Sequence, residues 1–134
     1  MTQPFAFQVS LDIPYEKALE IVKTALKEEG FGVLTEIDVK STLKKKLDLD
    51  FENYSILGAC NPPLAHKVLS AEPLVGLMLP CNVTVREIDG KSEVAIINPK
   101  VMLSMDILEG NQDIRMVAED ATTRLKRVAE SLKG

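Results

Sequence analysis

The chain holds one histidine and two cysteines among its 134 residues, and that scarcity bounds its chemistry first. Three soft donors cannot by themselves complete the four-ligand shell of a structural zinc site, and no Cys-x-x-Cys pair occurs. Basic residues are also short: 16 Lys and Arg stand against 20 Asp and Glu, for a net charge of −4. A general nucleic-acid binder neutralises phosphates with clustered Lys and Arg, so that class is disfavoured. No apolar run reaches the roughly 18 residues that cross a bilayer. The first eight residues, Met1 to Gln8, lack a basic n-region and an apolar h-region. A secretory leader is therefore not expected, and a cytoplasmic protein with reduced thiols is.

Motif absences narrow the field further. Gly30 and Gly32 are followed by neither a third glycine nor a Gly-Lys-Ser/Thr at phosphate-loop spacing. No G-x-S-x-G, H-E-x-x-H or EF-hand loop is present. The carboxylate pairs Asp48/Asp50 and Glu119/Asp120 read as solvated charge, and Lys44 to Lys46 as the cationic last turn of a helix.

What is present is ordinary globular material, 46% hydrophobic and 27% charged, with the size of one domain spanning 1–134. Phe5, Phe7, Val9 and Leu11 alternate with smaller or polar residues, a half-buried strand. Asp12 and Pro14 mark a helix start, and Tyr15, Ala18, Leu19, Val22, Ala25 and Leu26 keep helical spacing. Gly30 fits the residue just past that helix's end. A second strand over 32–37 leads to a short helix capped by Asp38, with Val39, Leu43 and Leu47 four apart. A third strand over 54–60 ends in the small residues Gly58 and Ala59, which admit close approach of another group. Asn61 then serves as N-cap and Pro62 as first residue of a helix whose buried stripe is Ala65, Val68 and Leu69. The apolar run 74–80 reads as a short buried helix or turn.

Asp89-Gly90 between two extended segments, 81–87 and 92–98, predicts a hairpin, because both turn positions favour positive φ. Pro99 breaks its second strand. The segment 101–105 reads as an apolar linker. Asn111 caps a last helix over 112–133, with Ile114, Val117, Ala121, Leu125, Val128 and Leu132 as its stripe. The order is β-α-β-(short helices)-β-β-β-α, which predicts an α+β fold with helices packed on one face of a mainly antiparallel sheet.

Three stretches carry a resemblance: Gly30-Phe31-Gly32-Val33-Leu34-Thr35-Glu36-Ile37-Asp38, Leu57-Gly58-Ala59-Cys60-Asn61-Pro62, and Leu79-Pro80-Cys81-Asn82-Val83. In these the chain resembles the bacterial and archaeal domain-of-unknown-function family 302 over nearly its whole length. The resemblance implies a TATA-binding-protein-like α+β fold and a small, dimeric protein. It implies no activity, and the fold analogy carries no DNA binding.

The reactive side chains concentrate at the corner following the third strand. Gly58, Cys60, Asn61, His66, Cys81 and Asn82 are expected to line a ligand pocket there. Three readings stay open. Cys60, His66 and Cys81 can ligate a metal or metallo-cofactor if Asn61, Asn82, water or a dimer mate completes the shell. Alternatively Cys60, just before a helix N-terminus, acts as a thiolate with His66 as base or Cys81 as resolving partner. Pro62 and Pro63 weaken this by deleting two backbone donors. In the third, both cysteines are buried structural residues and the chain is an interaction domain that dimerises through 74–79 and 101–105. The leading expectation is a homodimeric module for a small molecule or metal, with no nucleic-acid or membrane partner.

Overall fold

A computed structural model describes residues 4–105, 108 and 110–134. Five strands form one sheet: β1 (Ala6–Leu11), β2 (Gly32–Asp38), β3 (Tyr54–Cys60), β4 (Cys81–Ile88) and β5 (Lys91–Ile97). Their spatial order is β1-β5-β4-β3-β2, and every neighbouring pair is antiparallel. The helices are α1 (Tyr15–Glu28), α2 (Val39–Leu47), α3 (Pro62–Ala71), a 3-10 helix (Pro73–Met78), the single turn α4 (Pro99–Met102) and α5 (Gln112–Lys133). The α+β architecture expected from the residue pattern is the one observed.

Because β1 and β2 occupy opposite edges, α1 must cross the sheet between them, and it packs over β4 and β5 on the way. Tyr15, Ala18, Val22, Ala25 and Leu26 form its buried face. Pro14 itself takes the N-cap position with extended backbone and no side-chain cap, so the helix is capped two residues beyond Asp12. At the other end Gly30 (φ 84) donates to Lys27 O and Phe31 donates to Leu26 O. These two bonds are the Schellman closure, and the contact it favours between Phe31 and Leu26 lies in the core. The hairpin also follows its residues: Asp89 and Gly90 have φ of 51 and 78, and Ile88 pairs with Lys91.

Helix α5 spans the predicted range, capped by Asn111 Oδ1 accepting from Ile114 N–H. All six stripe residues are buried, but they serve two clusters. Leu125, Val128 and Leu132 join α1 and the sheet. Ile114 and Val117 join a second cluster with Val68, Val75, Leu103 and Leu108. Leu64 packs against both.

Helix α2 forms over the expected residues and buries none of them. Three expectations need correction. In α3 only Val68 is buried, while Leu69 is exposed and Ala65 half-exposed, for a reason given below. The run after Pro73 is a short helix as read, but only its Val75 is buried, and Leu74 and Leu77 face solvent. The segment 101–105 is not all linker, because Val101 and Met102 close the single turn α4.

Asn98 ties these parts together from a fully buried position. Its backbone N–H donates to Phe5 O at 3.0 Å, and its Nδ2 to Pro4 O at 2.9 Å. Its Oδ1 accepts from Lys100 N at 3.0 Å and from Thr122 Oγ1 at 3.3 Å. One side chain thus joins the entry to β1, the start of α4 and the middle of α5. Asn98→Ala leaves three partners without their bonds, of which Thr122 is buried, and is expected to cost about 1–3 kcal/mol. Urea unfolding with an unchanged m-value measures this, and a loss below about 0.5 kcal/mol would show the clamp to be unimportant.

Candidate functional site

The site grows from the way β3 hands the chain to α3. Asn61 leaves the strand in extended conformation, and its Oδ1 accepts from Leu64 N–H at 3.2 Å. Pro62 and Pro63 fill the first two helical positions, where no N–H is needed. After α3, the 3-10 helix and Leu79 carry the chain to Pro80, whose peptide bond is cis, and β4 begins at Cys81 opposite Ala59. The chain therefore leaves the sheet at Cys60 and re-enters it one ladder position away.

Behind this excursion lies a cavity of about 350 Å³. Phe31, Ala59 and Ala121 of the main cluster form one wall, and Val68, Leu103 and Val117 of the second cluster form the other. The seam stays open because many residues around it are small: Ala59, Ala65, Gly76 and Ala121, with Pro80 and Pro99. The half-exposed face of α3 is explained by the same void, since Leu64, Ala65 and Leu69 border it. Leu34 reaches the rim by a β-bulge: β2 advances from Val33 to Thr35 while β3 advances only from Ala59 to Gly58. The extra residue leaves the ladder and is re-aimed, a usual consequence of a bulge.

Of the six residues expected to form the pocket, Cys60, Asn61 and Cys81 line this cavity. Gly58 is buried beside it without lining it. A Cβ there would lie 2.7 Å from Pro80 Cγ and closer still to Thr35 Oγ1, so its missing side chain admits protein atoms. Asn82 pairs with Gly58 and is exposed on the uncovered face of the sheet. His66 is exposed too, in a shallow surface depression with Pro63, Lys67 and Asp113. The expected grouping of Cys60, His66 and Cys81 is thus not formed. Among the described residues, no three His, Cys, Asp or Glu side chains converge as a metal-ligand set.

The thiols are set against anionic chemistry. Burial raises Cys60 above the ordinary thiol value. Cys81 is pushed up to about 11, first by burial and then by the proximity of Cys60. Both are free thiols, one ladder position apart where β3 ends and β4 begins, and both line the cavity. The helix-terminal activation considered for Cys60 also lacks donors: Leu64 N–H is taken by Asn61 Oδ1 and Ala65 N–H by Asn61 O. The side chains that residue type alone did not single out are Leu64, Leu79, Pro80, Leu103 and Val117. The stripe of the last helix places one of them, Val117, facing inward, but not facing a void.

Cys81 supplies a pH test. Its native proton is held to about 11, whereas an unfolded thiol ionises from about 9. Between those values the native state binds more protons, so stability falls as pH rises. Wild type should lose about 2–3 kcal/mol more than Cys81→Ala between pH 9 and 11. Denaturant unfolding of the two proteins at several pH values measures the difference, and parallel curves would contradict it.

Comparison with known proteins follows the geometry. No curated protein matches the chain. The crystal structure of an uncharacterized conserved protein DUF302 from Bacillus stearothermophilus is similar, with 30% identity and a TM-score of 0.83. The match covers 96% of this chain and 98% of that one. The model of the family described as domain of unknown function DUF302 matches residues 7–132. With its sheet, its β3–α3 corner and nearly its full length accounted for, the chain belongs to the DUF302 family.

Proposed function

We propose that this protein is a homodimeric, cytoplasmic binding module that holds a small, mainly apolar ligand in the cavity between its two hydrophobic clusters. The observation that carries the reading is the cavity itself, about 350 Å³ with no charged residue among those lining it. Ligand pockets span ~300–1,000 Å³ and are mostly apolar with a few polar groups, so this one sits at the small end. Thiols held protonated by burial favour binding over thiolate chemistry. Two free cysteines suit a reducing compartment. Among the described residues, no helix is long and apolar enough to cross a membrane. Helices on one face of an antiparallel sheet agree with the TATA-binding-protein-like arrangement implied by the resemblance.

Toluene, a neutral probe, tests the reading. A titration followed by amide resonances should saturate, with shifts centred on Leu64, Ala65 and Val117. Ala65→Phe, which fills the void from α3, should weaken binding at least about tenfold while the protein stays folded. Unsaturable shifts spread over the surface would refute a binding cavity.

The dimer reading is supported by the edge strand β2. Its outer backbone edge is unpaired among the described residues, and Leu34 and Ile37 are 67% and 48% exposed. Leu47, Leu49 and Phe51 nearby are exposed as well. An exposed apolar edge strand is a template for pairing with a second chain. Sedimentation should show a dimer at micromolar concentration that Ile37→Lys converts to monomer. A wild-type monomer, or a dimer indifferent to the substitution, would refute this interface.

A further inference from the structure

Resting on the cavity reading, we infer that the occupant is an uncharged, mainly apolar molecule bearing a carbonyl oxygen that accepts a hydrogen bond from the Asn61 side-chain amide. Asn61 is the one residue with a polar amide, carboxylate or cationic side chain among those lining the void. It is only 7% exposed. The orientation of its amide follows from chemistry, because Leu64 N–H is a donor and only Oδ1 can accept from it. That leaves Nδ2, with its two N–H groups, on the Gly30 side of the corner, 2.9 Å from where a Gly30 Cβ would stand. Among the described residues no acceptor lies within hydrogen-bonding reach of Nδ2. Among the described residues no fully enclosed polar side-chain atom lacks a partner, so Nδ2 is not sealed off and keeps contact with open space.

Charge selects against other occupants. The nearest cation at this corner, Arg124, is already engaged: Nε donates to Asp120 Oδ1 at 2.8 Å and Nη1 to Glu29 O at 3.1 Å. The first turn of α3 has no donor to spare, since two of its residues are prolines and the next two N–H groups are bonded to Asn61. A carboxylate or phosphate entering the cavity would lose its hydration without a compensating partner. A pure hydrocarbon would fill the volume but leave the buried amide unpaired. A ketone or ester satisfies both conditions, because its carbonyl oxygen can accept from the unpaired Asn61 amide without adding a donor or a charge.

Three probes of similar size separate these cases: acetophenone (carbonyl), cumene (hydrocarbon) and benzoate (anion). Acetophenone should bind about tenfold more tightly than cumene, the effect of one hydrogen bond of ordinary strength, and benzoate more weakly than both. The Asn61 side-chain N–H resonances should shift with acetophenone and not with cumene. Asn61→Asp keeps an oxygen to cap Leu64 N–H but has no donor, and should bring acetophenone to the affinity of cumene. Asn61→Ser, which also caps and adds no charge, serves should the aspartate variant fail to fold, and it should at least lessen the preference. Equal affinity for acetophenone and cumene in the wild type would overturn the carbonyl inference while leaving the apolar cavity standing. Benzoate binding as tightly as acetophenone, or a preference unchanged in both variants, would overturn it as well. Failure of all three probes, with toluene also unsaturable, would remove the cavity reading beneath it.

Discussion

The corner on which this molecule turns exists because Gly30 has no side chain. A Cβ there would stand 2.9 Å from Asn61 Nδ2 and 3.5 Å from Arg124 Nη1, and the backbone is already in the left-handed region. Three elements meet at that point: the end of α1, the start of α3 and the middle of α5. Arg124 secures the meeting by donating to the carbonyl of Glu29, and Arg127 adds an ion pair to the Glu29 carboxylate at 2.9 Å. The same glycine closes α1 through its Schellman bonds. One residue therefore ends a helix, lets a second helix begin against it and gives a third something to hold.

The division of the interior follows from this arrangement. Helix α3 is held at its first residue, where Asn61 abuts Gly30, and runs away from the sheet to build a second cluster with Val75, Leu103 and the first turns of α5. Leu64 alone packs against both clusters among the residues of α3. The sheet cannot fill the gap from below, because Gly58 and Ala59 end β3 with almost no side chain and Gly58 is closed off by Thr35 and Pro80. The void is thus a consequence of where α3 is anchored and of how little the strand ends project.

Much of this is legible in the residues before any coordinates. Caps and turns speak locally, so Asn61-Pro62, Asp89-Gly90, Asn111 and Gly30 announce their roles within a few positions of chain. The long stripe of α5 is equally plain, since twenty-two residues repeat one periodicity. What local pattern cannot carry is the relation between elements. The bulge that re-aims Leu34 depends on the pairing of β2 with β3, and the meeting of Cys60 with Cys81 at the cavity depends on the register of β3 with β4. Closeness in sequence groups His66 with Cys60. Its position on α3, between the inward residues Leu64, Ala65 and Val68 and the solvent, turns it to the surface instead. Val39, Leu43 and Leu47 of α2 keep a regular helical spacing, yet none of the three is buried and Leu47 is exposed.

An open seam in a small protein has a thermodynamic cost that bears on its meaning. Each buried methylene is worth about 0.8 kcal/mol, so larger side chains at Ala59, Ala65 or Ala121 would add stability by closing the gap. These residues come from three different elements, and their effect converges on one volume. A ligand that fills the void recovers part of the forgone burial and shifts the folding equilibrium toward the native state in proportion to its occupancy. Asn61 connects the two effects, because it lines the cavity and its oxygen holds the corner together while its nitrogen, against Gly30, remains unpaired. An acceptor bound there would complete the hydrogen bonding of the residue that anchors α3. Occupancy of the site and rigidity of the fold are then coupled through one side chain, as expected where a binding site is built into the packing of a domain.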